Sequence, residues 1–393
     1  MILSDICDLI VDCPHSTAKD EGVGYPLIRT PNIGKGRLLL DGVHRVSETV
    51  YNVRNERAIP QVDDIILARE APVGNAAIIT QEQNVCLGQR VVLIRANKNI
   101  VDPQYLIYKL LSKDVQYRLK NCANGAVVAH LNMNDIRNLE IDLPELDIQH
   151  RIANILTNLD DKIELNNRIN HNLEQQAQAL YKSWFVDFDP FKEGEFVESE
   201  LGMIPEGWYL GTLSEVASVV MGQSPSGTSF NEEGKGIVFY QGRTEFGNRF
   251  PSVRLFTTEP TRFAEQFSVL LSVRAPVGDI NVAKERCCIG RGLASISGKF
   301  QSYVFYTVDS LRPAMDRYNG EGTVFGSINR KDLENLQIIV PTSEAEEQFN
   351  KIAEKLDAEI FDRSMENLQL IKLRDSLLPK LMSGELNINE IGC

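Results

Sequence analysis

The tetrapeptide Ala71-Pro72-Val73-Gly74 returns as Ala275-Pro276-Val277-Gly278, and the pairs around it keep their order. Leu3-Ser4-Asp5-Ile6 matches Leu213-Ser214-Glu215-Val216, and Cys86-Leu87-Gly88 matches Cys288-Ile289-Gly290. Tyr105-Leu106-Ile107-Tyr108 matches Tyr303-Val304-Phe305-Tyr306. Asp135-Ile136-Arg137-Asn138-Leu139 matches Asp332-Leu333-Glu334-Asn335-Leu336, and a proline follows each, Pro144 and Pro341. The offset between partners falls from 210 to 197 residues, so short insertions and deletions separate two homologous halves. A period of roughly 200 residues is too long for a solenoid and means two domains of one kind in one chain. Two similar modules in one chain can engage two sites at once.

Each half reads as some 140 residues of mixed pattern followed by a long amphipathic segment, an α+β class. Ile65-Ile66-Leu67, Ala76-Ala77-Ile78-Ile79, Val91-Val92-Leu93-Ile94, Val269-Leu270-Leu271-Ser272-Val273 and Gln337-Ile338-Ile339-Val340 read as strands. Pro103 to Lys120, and its partner from Ser302, read as helices. The repeated Ala-Pro-Val-Gly reads as a turn between strands, since Pro fixes φ and Gly permits positive φ.

The long segments carry apolar residues at steps of three and four. Ile152, Ile155, Leu159, Ile163, Leu173 and Leu180 form one stripe, and Phe349, Ile352, Leu356, Ile360, Leu370 and Leu377 form the other, in register under the repeat. Ser343 with Glu346 fits a capping box for the second. Each helix is expected to run about 35 residues, or about 50 Å. The obvious partner for each stripe is the other helix, antiparallel about a pseudo-twofold axis. Asn166 falls where the phase expects an apolar residue; it either fixes register or marks a stripe that has drifted into solvent. The expected boundaries are a first domain 1–143, a helix 144–188, a Gly/Pro-rich acidic linker 189–207, a second domain 208–340, a helix 341–384 and a tail 385–393.

The net charge is −13, but its distribution matters more. Residues 1–143 are close to neutral, with 16 Lys+Arg against 17 Asp+Glu, and 201–340 balance at 14 each. Nearly all the excess acid lies in 144–200 and 341–393. Each domain can therefore carry a basic face, and binding to phosphate depends on local charge. Seven cysteines without a CxxC, and the adjacent Cys287-Cys288, suit neither a disulfide framework nor a zinc site. With no basic-then-apolar leader at Met1 and no apolar run near the roughly 18 residues of a membrane helix, a reduced cytoplasmic protein is expected. No GxxxxGK[ST], GxSxG or HExxH is present, and Gly34-Lys35-Gly36 and Gly290-Arg291-Gly292 are not dinucleotide fingerprints. No catalytic centre, metal or cofactor is expected of this chain.

Trp184-Phe185-Val186-Asp187-Phe188-Asp189-Pro190, then Glu200-Leu201-Gly202-Met203-Ile204-Pro205-Glu206-Gly207-Trp208, resembles the central junction of type I restriction-modification specificity subunits. Leu377-Leu378-Pro379-Lys380-Leu381-Met382-Ser383-Gly384-Glu385-Leu386 resembles their C-terminal signature. The first half departs from the pattern in starting at Met1 without an entry like Pro205 to Trp208. The resemblance implies two target-recognition domains on two antiparallel conserved helices. Each domain would read one half of a split double-stranded DNA site in the major groove. The helices would set the gap and bind two methyltransferase subunits, and restriction/translocase subunits would join that core. A non-DNA protein–protein adaptor with two α/β modules on a helical spacer is the rival reading, and a salt-dependent DNA-binding assay separates them.

Phosphate and guanine readout needs Arg and Lys, and base edges also take Asn and Gln. Arg29, Asn32, Lys35 and Arg37 cluster in a Gly/Pro-rich loop, and the matching loop holds Gln241, Arg243, Asn248 and Arg249. Arg69 and Arg90, and in the second half Arg274 and Arg291, flank the repeated turn and come next.

Overall fold

The computed structural model describes residues 1–80, 83–123, 130–319, 326–386 and 388, so most of the expected tail lies outside the described residues. Two compact units emerge, Met1–Glu164 with Leu368–Cys393, and Leu165–Asn367. Each unit thus holds one of the two repeated domains and a stretch of both long helices.

In the first unit a five-stranded sheet runs Cys7–Asp12, Val91–Ala96, Ile65–Ala68, Ala76–Ile78, Gly36–Arg37. In the second the order Ser218–Met221, Leu293–Ser297, Val269–Ser272, Ile280–Val282 repeats its first four positions. A second sheet accompanies each, of three strands in the first unit and five in the second. It centres on a parallel pair, Tyr25–Ile28 beside Cys86–Leu87 and Ile237–Tyr240 beside Cys287–Ile289. The continuous apolar runs follow from sheets covered on both faces. Ile65 and Leu67 enter one core, while Ile66 and Ala68 enter another on the opposite face. Each such isoleucine or leucine contributes about 1.5–3 kcal/mol on burial.

The Ala-Pro-Val-Gly segment joins Ile65–Ala68 to Ala76–Ile78 and Val269–Ser272 to Ile280–Val282, as a turn between strands. Both Ala–Pro bonds are cis, and Gly74 and Gly278 have φ of 89° and 100°. Pro103 to Lys120 is two helices, Pro103–Leu111 and Lys113–Cys122, because Ser112 is extended. The matching region is likewise Gln301–Ser310 followed by Arg312–Met315.

The long helices are Leu146–Phe185 and Ser343–Ser383, at 40 and 41 residues longer than expected. The second is capped one residue earlier than the sequence suggests: Thr342 precedes it, and its hydroxyl accepts from Ala345 N at 3.4 Å. The helices are antiparallel in each unit. In the first, Arg151 donates to the Ile388 carbonyl at 2.9 Å and Arg374 to Asp160 at 2.7 Å. In the second, Asn166 donates to Asn367 at 2.9 Å and to Glu366 at 2.7 Å, and Asn170 to Ser364 at 3.1 Å. Asn166 is fully buried, which excludes the drifted-stripe alternative.

The apolar stripes face the domain cores as well as each other. Ile152, Ile155 and Leu377 pack into the first unit's core, and Leu180, Phe349 and Leu356 into the second's. Ile360 is buried, whereas Leu159, Ile163, Leu173 and Leu370 are half-buried. Ile352 departs from the expected seam: it is 45% exposed, and its neighbour Ala353 is buried instead. Segment 189–207 is ordered, with a hairpin of Phe196–Ser199 and Gly202–Pro205. Trp208 closes an aromatic cluster with Phe185, Phe188 and Phe191, at centroid distances of 5.7, 5.6 and 4.9 Å. Among the described residues no helix is long and apolar enough to cross a membrane.

Candidate nucleic-acid interface

In each unit the first residue of the loop candidates meets the candidates that flank the repeated turn at one end of the parallel strand pair. In the first unit the chain leaves Ile28 into Arg29, and Gly88 N donates to the Ile28 carbonyl at 2.8 Å. A side chain at Gly88 would lie 2.4 Å from that oxygen, so glycine is required. Arg69 N then donates to the Arg90 carbonyl at 2.9 Å. Arg29, Arg69 and Arg90 therefore leave from one sheet end. The second unit repeats this wiring. Gly290 N meets the Tyr240 carbonyl at 2.8 Å and Val273 N meets the Gly292 carbonyl at 2.9 Å, which brings Gln241, Arg274 and Arg291 to the matching end. The same bonds show that Arg274 matches Glu70 and Arg291 matches Gln89, so the flanking arginines are not structural counterparts of Arg69 and Arg90.

Local bonds divide these candidates into groups free to face a ligand and groups committed to the protein. Asn32 is buried; its amide donates to the Leu39 carbonyl at 3.2 Å and its carbonyl accepts from Arg29 N at 3.1 Å, so it shapes the loop. Arg69 is held by Asp12 at 2.7 Å and by the Leu131 carbonyl at 2.9 Å. Arg37 pairs with Asp161 and lies 3.7 Å from Glu164, both on the first long helix. Arg249 is 7% exposed and pairs with Glu174 at 3.1 Å and Asp357 at 2.6 Å, one carboxylate from each long helix. Burial opposes the Arg249 charge, yet Asp357, Tyr306 and Glu174 together raise its pKa above the ordinary guanidinium value. It stays charged and does not face solvent.

The remaining candidates present their polar ends, except Arg29, whose Nε is buried without a hydrogen-bond partner among the described residues. Lys35 is exposed at the rim of a cleft of about 570 Å³ that Tyr108, Asp160 and Arg374 also line. Arg29 is half-buried. Arg90 is half-exposed and lies 3.1 Å from Glu70, and Arg243, similarly exposed, pairs with Asp279. Exposed pairs of this kind are worth about 0–1 kcal/mol, so a phosphate or base can displace the carboxylate. Gln241, Asn248, Arg274 and Arg291 are exposed, and the two arginines make no ion pair among the described residues.

The structure adds residues that the sequence reading missed. The strand partner Cys7–Asp12 delivers His15, Ser16 and Thr17 to the same end, where the Thr17 hydroxyl lies 3.3 Å from the Gln89 amide oxygen. In the second unit Gln223 N bonds the Ile289 carbonyl at 3.0 Å, and the Ser224 hydroxyl accepts from Arg291 N at 3.3 Å. Buried Arg54 holds this end in place, donating to the Leu87 carbonyl at 2.8 Å and the Ser16 hydroxyl at 3.2 Å. The signal was faint: short Ser/Thr/Gln runs at matching places after the first strand of each half. Burial pushes the Cys86 and Cys287 thiols up to about 11 and about 12, which leaves them unreactive at neutral pH. Among the described residues no group of three His, Cys, Asp or Glu side chains is arranged to hold a metal.

Comparison with known proteins bears on what these paired surfaces serve. Residues 1–175 and 205–372 each match the type I restriction modification DNA specificity domain. A Methanocaldococcus jannaschii protein assigned as the MjaX type I restriction enzyme specificity subunit is 32% identical over 98% of this chain and 93% of its own length. The HindI specificity subunit of Haemophilus influenzae is 25% identical over 84% of this chain and 88% of its own. The crystal structure of the type I restriction-modification S subunit from M. genitalium shares the fold, with a TM-score of 0.61 at 19% identity over 97% of this chain and 95% of that one. Both halves of the sequence match the same domain and the first relative aligns nearly end to end, so this chain belongs to the type I restriction-modification DNA-specificity family.

Proposed function

We propose that this chain is the DNA-specificity subunit of a type I restriction-modification complex, and that each unit reads one half of a bipartite double-stranded target through the sheet end described above. The observation that carries this is the recurrence of one wiring, a glycine turn bonded to the end of a parallel strand, that gathers exposed cationic and amide side chains in both halves. In the first unit the readers are Arg29, Lys35 and Arg90. In the second they are Gln241, Arg243, Asn248, Arg274 and Arg291. Arg and Lys supply phosphate contacts and bidentate guanine readout, and Gln and Asn suit adenine edges. The chain itself is non-catalytic: it carries no nucleotide-binding or hydrolytic motif, and the chemistry belongs to two methyltransferase subunits and the restriction/translocase subunits held against it. The long acidic helices set the gap between half-sites and bind the methyltransferases. The setting is cytoplasmic.

The test is a binding titration of the complex with its methyltransferase subunits on duplexes altered one base pair at a time, at two salt concentrations. Arg291→Ala is expected to weaken recognition within one half-site and Arg90→Ala within the other. A guanine contact costs about 1–3 kcal/mol at one base position. A phosphate contact instead lowers affinity on every sequence and reduces the salt slope by about one. Binding that ignores sequence in the wild-type complex would favour the adaptor reading.

A further inference from the structure

Arg249 stands at the end of the second recognition loop, yet its guanidinium turns away from the face that Gln241, Arg243 and Asn248 present. Its guanidinium carbon lies over the Phe305 ring, 3.4 Å from the centroid, and 5.5 Å from that of Tyr306. Its two ion pairs bridge the two long helices of the unit through Glu174 and Asp357. The Tyr306 hydroxyl donates to the same Asp357 oxygen at 2.8 Å, so the carboxylate is itself held. The backbone beside it is equally tied. The Arg249 carbonyl accepts from Val282 N at 2.9 Å, and Asn281 exchanges bonds of 3.1 and 2.9 Å with the backbone of Gly247. A planar fork with five donors can serve two carboxylates and an aromatic face at once, which a lysine cannot.

The first unit arrives at the same arrangement with a different residue. There the place of Arg249 is taken by Gly36, whose added Cβ would sit 3.9 Å from Asp160 Oδ2. The next residue, Arg37, reaches Asp161 and Glu164 on the first long helix. Asp160 matches Asp357: Tyr108 donates to it at 2.7 Å, as Tyr306 does to Asp357. In both units an arginine at the loop's end is thus held by helix carboxylates.

We propose that Arg249 and Asp357 form a latch that positions the second recognition loop from the long helices, so that this unit's choice of bases is set by residues that never touch DNA; Arg37 with Asp161 and Glu164 does the same in the first. The inference rests on the reading of the loop as a DNA reader. It makes Arg249 a positioning residue and removes it from the base contacts. It also ties the helices that hold the methyltransferases to the loop that reads sequence, since anything that shifts Asp357 shifts the loop.

The experiment compares the wild-type complex with Arg249→Ala, Asp357→Asn and the double variant, on the same panel of altered duplexes and at two salt concentrations. The latch predicts a loss of selectivity of about tenfold or more, spread over several base pairs of one half-site, as for a coupled pair worth upwards of about 1.4 kcal/mol. Asp357→Asn should reproduce it, the double variant should be no worse than either single one, and the other half-site and the salt slope should be unchanged. A loss confined to one base pair in Arg249→Ala and absent in Asp357→Asn would make Arg249 a base reader and overturn the latch. So would a salt slope lowered by about one, the mark of a phosphate contact, or unchanged selectivity in both variants. Gln241→Ala and Asn248→Ala separate the two levels. If they too leave selectivity intact, the loop is not the reader. If they reduce it while Arg249→Ala and Asp357→Asn do not, the latch alone fails. Should Arg249→Ala not assemble, Asp357→Asn, which keeps the side-chain volume, decides the matter.

Discussion

Replacing Phe349 by alanine should unfold the second unit at markedly lower denaturant. Phe349 is fully buried and its ring lies within 5.1 to 6.4 Å of Phe185, Tyr181, Tyr306, Trp184 and Tyr303. Truncating a buried phenylalanine costs about 3–5 kcal/mol, and the packed rings place this one toward the upper part of that range. With a urea slope of about 2.5 kcal/mol/M for a unit of this size, a loss of about 4 kcal/mol moves the midpoint down by about 1.6 M. Both tryptophans of the chain, Trp184 and Trp208, sit in this unit's core, so intrinsic tryptophan fluorescence reports its unfolding alone. The control is Ile352→Asp, one turn along the same helix but 45% exposed; it should move the midpoint by about 0.2 M or less, as exposed substitutions do. A Phe349→Ala midpoint within 0.5 M of wild type at about the same slope, or an Ile352→Asp shift as large as the Phe349→Ala one, would refute the assignment of the helix face.

Arg374→Ala should destabilise the first unit by about 1–3 kcal/mol, discounted from the buried-pair range because the arginine is partly exposed, while Asp160→Asn/Arg374→Met should recover much of it in the same urea assay. Partial burial would raise the Asp114 carboxyl, but the Ser112 hydroxyl, Lys109 and Arg118 outweigh it and bring it down to about 2. Its stabilising share is therefore present above the ordinary carboxylate value of about 4 and lost as pH falls toward 2; Asp114→Asn should flatten the acid dependence of the circular-dichroism midpoint across that window, and an unchanged dependence would count against it. Asn166→Leu should cost about 1–3 kcal/mol by breaking a buried amide layer, and Asn166→Leu/Asn367→Leu should regain stability while loosening the register, read as mixed products when a disulfide is introduced at Asn170→Cys/Ser364→Cys. Deleting one matched heptad from each long helix removes about 10 Å, so the preferred gap between half-sites should shorten by about three base pairs at 3.4 Å each; a mutant that keeps the original gap would show that the helices do not set it.

The duplication was legible because turn chemistry leaves a strong trace: Ala-Pro-Val-Gly can hardly be anything but a turn, and both copies are. The central strands were legible because sheets covered on both faces demand unbroken apolar runs such as Ile65-Ile66-Leu67-Ala68. The break at Ser112 was hidden because apolar spacing continues across it from Leu110 to Val115. The helix face was blurred by alanines: Ala153, Ala177 and Ala353 are among its most buried positions, and alanine carries little periodic signal. The orientation of the candidate interface residues was not legible. Arginine in a Gly-rich loop points outward or inward according to partners that lie far off in the chain, 124 residues away for Arg37 and Asp161 and 108 for Arg249 and Asp357. Sequence spacing cannot reveal such pairs, so the reading placed Arg37, Arg69 and Arg249 alongside the exposed arginines.

The unlike arginines on Asp160 and Asp357 limit how recognition modules can be exchanged. A chimera that grafts the second domain onto the first helix stretch would bring Arg249 to a carboxylate that Arg374 already holds, crowding two guanidiniums onto one acid. The reverse graft would set Gly36 against Asp357 and Glu174 and leave two acids facing each other without a cation. Crossovers that are silent for folding must therefore carry the facing stretch of the other long helix, with Arg374 or Glu174, together with the domain, and junctions that exchange the domain alone should yield misassembled specificities even when both parents are stable.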